Sequence, residues 1–148
     1  MLLFSVTDVK KFMNLLFKKE NLFHSYEARG VALRTFTQFD ISCLKTEVSD
    51  GDTKYCLWSE VMPWVSQLVK GGKPPEFLKI ILCISGDNAL EINDNAKVLY
   101  ATIKYEKGEV TILTGTAQKQ FALDKDLDTA WDNYIINLLD NNGFQITR

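Results

Sequence analysis

The sequence is poor in the side chains that catalysis near neutral pH usually requires. Its 148 residues include one histidine, His24, and three cysteines. Hydrolytic, redox and metal chemistry generally uses histidines, activated thiols or carboxylates at short spacing. The sequence shows no such constellation, and it therefore predicts no catalytic, no cofactor-binding and no metal-binding residue.

The cysteines are odd in number and far apart in the chain. Cys43, Cys56 and Cys83 form no Cys-x-x-Cys pair, and His24 is the only imidazole in the chain, so the spacing does not favour a zinc site. Cys83 lies in the apolar run Ile80–Ile84. We therefore expect three reduced cysteines that serve as packing residues.

Long apolar runs are also missing. No run approaches the roughly 18 residues that a membrane-spanning helix needs. The opening Met-Leu-Leu-Phe-Ser-Val has neither a basic region nor the length of a signal peptide. The sequence thus predicts a cytoplasmic protein with no membrane partner.

Composition and charge are those of an ordinary globular domain. Hydrophobic residues make up 46 % of the chain, and the net charge is −2. A chain of this length is expected to form one domain, here over residues 1–148, with a core large enough to fold without disulfides or metal. The small net charge predicts no nucleic-acid partner.

Two segments of the first half have the apolar spacing of helices. The first helix follows Thr7 or Asp8, either of which can cap it. The second helix opens at Ser59, or as late as Pro63 because proline fits only the first turn, and it stops at Gly71-Gly72. The apolar stripe of the first helix consists of Val9, Phe12, Met13 and Leu16.

A third helix is predicted near the end of the chain. Its apolar stripe runs from Leu127 to Leu138. Thr129 and Asp132 have the spacing of a capping box, and Asn142-Gly143 is typical of a helix stop.

The remaining patterns predict strands. Residues 22–33 look extended, with an interruption at Gly30, and a half-buried strand starts at Gln38. Phe144 and Ile146 close the chain as a short strand. The predicted fold is α+β, with an antiparallel sheet of about five to seven strands and three helices packed on it. Short connections allow only an antiparallel meander for the strands over 77–84, 90–92, 98–105 and 110–114.

Three stretches carry a resemblance to a known family. They are the opening Ser5–Phe17, the run Ile112–Thr116, and the segment from Phe121 to Trp131-Asp132. Together they resemble one of the uncharacterised domain families of Firmicute bacteria, along nearly the full chain. The resemblance implies a bacterial cytosolic domain, but it brings no assigned activity and no site residues.

His24 admits two interpretations. On an extended strand it would share a face with Tyr26, while Glu27 and Arg29 share the other. His24 could then act as a general base with Tyr26 assisting. Because no nucleophile or orienting carboxylate is evident nearby, we favour a partly exposed histidine without a catalytic role.

Three further patterns are better explained by structure than by binding. Lys70–Pro75 resembles a phosphate loop, but its glycines follow a helix, which favours a helix stop. Asp124, Asp126 and Asp128 alternate as calcium ligands do, yet the Gly and Glu of a calcium loop are missing, which favours charge at a helix N-terminus. Basic residues near the N-terminus show no exposed aromatic partners and predict no nucleic-acid surface. These basic residues are Lys10, Lys11, Lys18, Lys19, Arg29 and Arg34.

The aromatic-rich stretch from Tyr55 to Trp64 is the feature most suggestive of function. Tyr55, Trp58 and Trp64 either pack in the core or form an exposed surface for a partner. Together with the missing catalytic residues, this predicts a non-enzymatic interaction or accessory module that binds another protein or forms a homodimer. The alternative is a small-molecule-binding protein or enzyme with a pocket between sheet and helices.

Overall fold

Seven strands and four helices make up the part of the chain described by the computed structural model, residues 1–71 and 74–148. The strands are β1 (Leu3–Val6), β2 (Glu27–Arg34), β3 (Gln38–Ile41), β4 (Phe77–Ser85), β5 (Ala96–Glu106), β6 (Glu109–Gln118) and β7 (Ile146–Thr147). The helices are α1 (Val9–Leu16), α2 (Trp58–Lys70), α3 (Gly86–Leu90) and α4 (Asp126–Asn141).

The strands form one antiparallel sheet in the order β3-β2-β4-β5-β6-β1-β7. Its centre is the meander β4-β5-β6, in which Ile103 pairs with Ile80 on one side and with Ile112 on the other. Lys107 and Gly108 both have positive φ, which suits the tight turn that joins β5 to β6. The predicted α+β single domain with an antiparallel sheet is confirmed.

Two local features of the strands agree with the sequence patterns. The interruption at Gly30 is a shift of register between Ala28 and Gly30, where β2 pairs with β4. The short strand at the end of the chain is β7, in which Ile146 pairs with Val6 of β1. The last residues thus close one edge of the sheet.

The helices pack on one face of the sheet. Leu78, Ile80 and Leu82 of β4 are buried on this face, as the two-residue period of a strand requires. Apolar side chains of α1, α2 and α4 join them in a single core. None of the described helices has the length and apolar character that crossing a membrane would require.

Two tryptophans are completely buried in this core. Each donates its indole N–H to a backbone carbonyl, Trp58 to Leu16 at 3.1 Å and Trp131 to Tyr100 at 2.8 Å. A buried indole N–H without a partner would destabilise the fold, so these bonds fix how α2 and α4 lie on their neighbours.

The connection between β4 and β5 differs from its prediction. Residues 86–90 form the short helix α3, so the predicted strand over 90–92 is wrong. Ala89 is fully buried and anchors this turn of helix. Two alternating apolar residues are too few to distinguish a strand from one helical turn. The meander therefore has three long strands, and α3 is a fourth helix that the sequence did not predict.

The segment before β2 is less extended than predicted. Residues 22–25 form turns, and the strand begins only at Glu27. The cause is Asn21, whose side chain accepts the Phe23 backbone N–H at 2.8 Å. Such local side-chain bonds compete with an extended backbone. We call residues 18–26 the Asn21 turn.

Side-chain carboxylates fix the starts of α1 and α2. Asp8 caps α1 by accepting the Lys11 backbone N–H at 3.0 Å, as expected. Helix α2 begins at Trp58, just before the predicted opening, because the Glu60 carboxylate accepts the Leu57 backbone N–H at 2.9 Å. A glutamate in the first turn thus satisfies the N–H group that would otherwise be free.

The end of α2 agrees with its prediction. The helix ends at Lys70, and the Gly71 N–H donates to the Leu68 carbonyl at 3.4 Å, as expected of a helix stop. Gly72 and Lys73, which complete the segment that resembles a phosphate loop, lie outside the described residues.

Helix α4 begins at Asp126, so the capping box predicted from Thr129 and Asp132 is wrong. The Asp132 carboxylate instead accepts the Thr114 hydroxyl of β6 at 2.5 Å. One turn earlier, the Asp128 carboxylate accepts the Thr116 hydroxyl of the same strand. These two bonds fix the first half of α4 across β6.

Candidate interaction surface

The loop that joins β6 to α4 is held in one conformation by side-chain amides. The Asn95 amide donates to the Gln120 carbonyl and accepts the Gln120 backbone N–H, both at 2.9 Å. The Gln118 amide makes the same two-way contact with the backbone of Ala122, at 3.2 and 3.1 Å. The backbone is therefore fixed on both sides of residue 121.

This loop, residues 119–125, presents two large apolar side chains to solvent. Phe121 and Leu123 are each 85 % exposed, more than any other large hydrophobic residue in the described chain. Burying a side chain of this size stabilises a protein by about 1.5–3 kcal/mol. Neither Phe121 nor Leu123 contributes this stabilisation to the fold, because both are exposed. Exposed apolar patches of this kind are typical of protein–protein contacts. We call Phe121 and Leu123 the apolar patch.

Charged residues lie close in sequence to the patch. Lys119, Asp124 and Lys125 are exposed on the same loop. The N-terminal amino group of Met1 lies 3.9 Å from the Asp128 carboxylate in the first turn of α4. Apolar residues accompanied by exposed charged residues of both signs are common in interfaces.

The structure separates the aromatic residues that the sequence suggested as a surface. Trp58 is completely buried against Phe17, so the prediction that it forms part of an exposed surface is wrong. Trp64 is 68 % exposed on α2. The two tryptophans differ in exposure because they lie on different sides of α2. They are six residues apart, and at about 100° per residue their directions differ by roughly 120° around the helix axis. Tyr55 is half-buried, with the Arg29 guanidinium 4.5 Å from its ring centre.

His24 is exposed in the Asn21 turn and does not lie on a strand. Its Nδ1 is 2.8 Å from the Asn21 carbonyl oxygen, and its ring lines a shallow cavity with Met62. Tyr26 lines a different cavity, beside α4. The two side chains considered as a catalytic pair are thus turned to different parts of the surface.

Glu27 is a buried carboxylate on the sheet face opposite the helices. It accepts hydrogen bonds from Arg29 at 3.0 Å, from the Cys83 thiol at 3.1 Å and from the Ser85 hydroxyl at 3.4 Å. Burial and the hydrogen bond to Glu27 raise the pKa of Cys83 to about 12, so this thiol is not an activated nucleophile at neutral pH. The network joins β2 to β4 and is structural in character.

The alternating aspartates lie at the start of α4. Asp126 and Asp128 belong to its first turn, and the Asp124 carboxylate accepts the Asp126 backbone N–H at 3.1 Å. Negative charge there is favourable because the helix dipole is positive at its N-terminus. Among the described residues, no group of three or more histidine, cysteine, aspartate and glutamate side chains could hold a metal ion.

Three basic residues of the first half, Lys11, Arg29 and Arg34, lie on α1 and β2. Lys11 on α1 donates to the Gly143 carbonyl at 3.0 Å, after the end of α4. Arg34 at the end of β2 lies 5.0 Å from the Phe77 ring centre, and Arg29 is paired with Glu27. These three cations are thus engaged by different neighbours.

Sequence reasoning did not single out Phe121 and Leu123 as an exposed pair. Their position between a strand and a helix carries no periodic pattern from which burial can be predicted. One signal was available in the sequence. Phe121 and Leu123 are large apolar residues in an otherwise mostly polar connection that also contains Gln118, Gln120 and Asp124.

Comparison with known proteins gives a family but no activity. No curated protein and no solved structure matches the chain. A family model matches residues 12–146, which confirms the resemblance to an uncharacterised domain family. The chain belongs to DUF5721, a family of unknown function.

Proposed function

We propose that this protein is a non-enzymatic interaction module that binds another protein through the apolar patch. The observation that carries the proposal is the 85 % exposure of both Phe121 and Leu123 on a loop fixed by side-chain hydrogen bonds. A loop already ordered before binding loses little conformational entropy on association, which favours affinity. Large apolar anchors of this type supply much of the binding energy in protein complexes.

The cytosol is the proposed location of this partner. The three cysteines are free, and Cys43 and Cys83 are buried thiols, which is usual for proteins of a reducing compartment. The partner is expected to offer an apolar pocket with charged residues at its rim, complementary to Lys119 and Asp124.

The test is the size of the complex that the protein forms in cells of its source. A tagged full-length chain is expressed there, and the extract is separated by size under native conditions. We expect the wild-type chain to elute as a complex, and the double variant Phe121→Ser, Leu123→Ser to elute as the free chain. The two changes should weaken binding roughly 100-fold or more, given about 1.5 kcal/mol or more for each buried side chain.

The matched control is Phe36→Ser. Phe36 is 76 % exposed in the turn between β2 and β3, where its ring contacts that of Phe39. The control variant should elute with the wild-type complex. A wild-type chain that elutes free, or a complex that survives the double change, would contradict the proposal. A complex of two identical chains would identify the partner as a second copy.

A further inference from the structure

A cavity of about 550 Å³ lies between α3, α4 and the end of the Asn21 turn. Its volume is within the range of about 300–1,000 Å³ that is usual for small-molecule sites. Ile84 and Ile92 form the apolar part of the wall. The cavity does not include the apolar patch, so the inference drawn from it is independent of the proposed interaction function.

Tyr26 is the most deeply buried polar residue of this wall. The residue is 6 % exposed, and its ring forms an edge-to-face pair with that of Phe23 at a centroid distance of 5.2 Å. The Tyr134 hydroxyl is near, but the Tyr26 hydroxyl makes no hydrogen bond of normal geometry to the described part of the chain. Buried hydroxyls nearly always have a partner, and the Tyr134 hydroxyl is the polar neighbour of this one, which keeps capacity for a further hydrogen bond to a molecule that enters the cavity.

The rim of the cavity carries side-chain amides from two helices. Asn133 and Asn137 are one turn apart on α4, and Asn88 lines the cavity from α3. Within the described residues, none of these three amides is engaged in a side-chain hydrogen bond. Tyr134 stands among them, with its ring stacked on Trp131 at 5.6 Å and an interplanar angle of 14°.

The electrostatic character of the wall limits the class of ligand. Glu91 is the one charged residue of the described lining, which contains no lysine, arginine or histidine. An anionic ligand would meet a carboxylate and no cation. Burial, reinforced by the adjacent Tyr134, raises the pKa of Tyr26, so its hydroxyl stays protonated and can donate a hydrogen bond.

We propose that this cavity binds a neutral polyhydroxylated molecule of about monosaccharide size, with Tyr26 at its floor and Asn88, Asn133 and Asn137 at its rim. Sugar hydroxyls both donate and accept hydrogen bonds, and each asparagine amide offers both functions. The faces of a sugar ring that carry C–H groups would pack on the apolar part of the wall.

The test is saturation-transfer NMR on the full chain, with D-glucose, D-galactose and myo-inositol as separate probes. At least one probe should receive saturation from the protein. Glucuronate, of similar size but anionic, should receive little because of Glu91. The double variant Asn133→Ala, Asn137→Ala should bind the positive probe at least about tenfold more weakly.

Two variants separate binding from folding. Tyr26→Phe should lose binding while its melting temperature stays at or above that of the wild type, because the hydroxyl has no partner of normal geometry in the described chain. Asn14→Ala, at an exposed position on α1, should change neither property. Lack of saturation transfer to all three neutral probes would overturn the proposal. So would binding that survives both Tyr26→Phe and the double asparagine change.

Discussion

Glu27 and Cys83 face each other across β2 and β4, and the Cys83 thiol donates a hydrogen bond to the Glu27 carboxylate at 3.1 Å. Burial alone would raise the pKa of Glu27. Hydrogen bonds from Thr53, Cys83 and Arg29, together with the charge of Arg29, outweigh burial, and the pKa of Glu27 lies below its ordinary value of 4.5. The Glu27 carboxylate is therefore held ionised by the protonated Cys83 thiol and by Arg29.

Replacement of this carboxylate tests the network by its pH dependence. Glu27→Gln should lower the free energy of unfolding by about 2 kcal/mol at pH 7, since hydrogen bonds to a charged acceptor are lost. A group with a lowered pKa stabilises the fold above its unfolded pKa and loses that effect as pH falls through its folded pKa. The difference between variant and wild type should therefore be constant above about pH 4.5 and shrink below it. Urea denaturation across this range measures it.

The control for that experiment is Glu109→Gln. Glu109 is exposed at the start of β6, so its replacement should change stability little at any pH. A Glu27→Gln effect that grows as the pH falls would show that the carboxylate is not held ionised by its neighbours.

The cysteines should differ in their reaction with iodoacetamide. Burial raises the pKa of Cys43 to about 11 and, with the Glu27 hydrogen bond, that of Cys83 to about 12. Cys56 is only half-buried. At pH 8 the native protein should be alkylated first at Cys56, as peptide mapping by mass spectrometry would show. In urea all three should react at similar rates, whereas rapid native alkylation of Cys83 would contradict its burial beside Glu27.

Thr114 joins the N-terminus to α4. Its hydroxyl accepts the Leu2 backbone N–H at 2.9 Å and donates to Asp132 at 2.5 Å. Thr114→Val keeps the shape but leaves both partners without their bond, so the free energy of unfolding should fall by about 1–3 kcal/mol, measured by urea denaturation. Thr111→Val, on the same strand but the opposite face, is the control and should be nearly neutral. Equal effects of the two changes would refute the role assigned to Thr114.

His24→Gln should leave the fold intact. The residue is exposed, and the polar contact of its ring within the described chain is with the Asn21 carbonyl. The expected change in unfolding free energy is within about 0.5 kcal/mol, measured by chemical denaturation. A loss above about 1 kcal/mol would indicate that this contact holds the Asn21 turn.

Patterns of burial predicted the fold where the elements are long. The apolar run of β4 and the stripe of α4 placed both elements within a few residues, and Asp8 was one of the two residues considered as the cap of α1. The short elements were not predictable in this way. In β1, Leu3 pairs with Leu113, and a contact so distant in sequence leaves no local signal. Helix α3 is about one turn long, and the burial of Ala89 rather than helix propensity stabilises it.

The candidate site was predictable only in part. The sequence left Trp58 and Trp64 open between core and surface; Trp58 is buried and Trp64 is exposed, because the outcome depends on which side of α2 meets the core. The conformation that exposes Phe121 depends on amide contacts of Asn95 and Gln118 that form only in the folded chain.

Site-specific photocrosslinking from residue 121 tests the central claim most directly. The photoreactive phenylalanine analogue p-benzoylphenylalanine replaces Phe121 in one variant and the comparably exposed Phe36 in another, and both are irradiated in living cells of the source organism. We predict a discrete crosslinked protein adduct from position 121 that is absent from position 36 and disappears when Leu123 is changed to Asp. No adduct from position 121, or the same adducts from both positions, would contradict the assignment of the apolar patch as a binding surface.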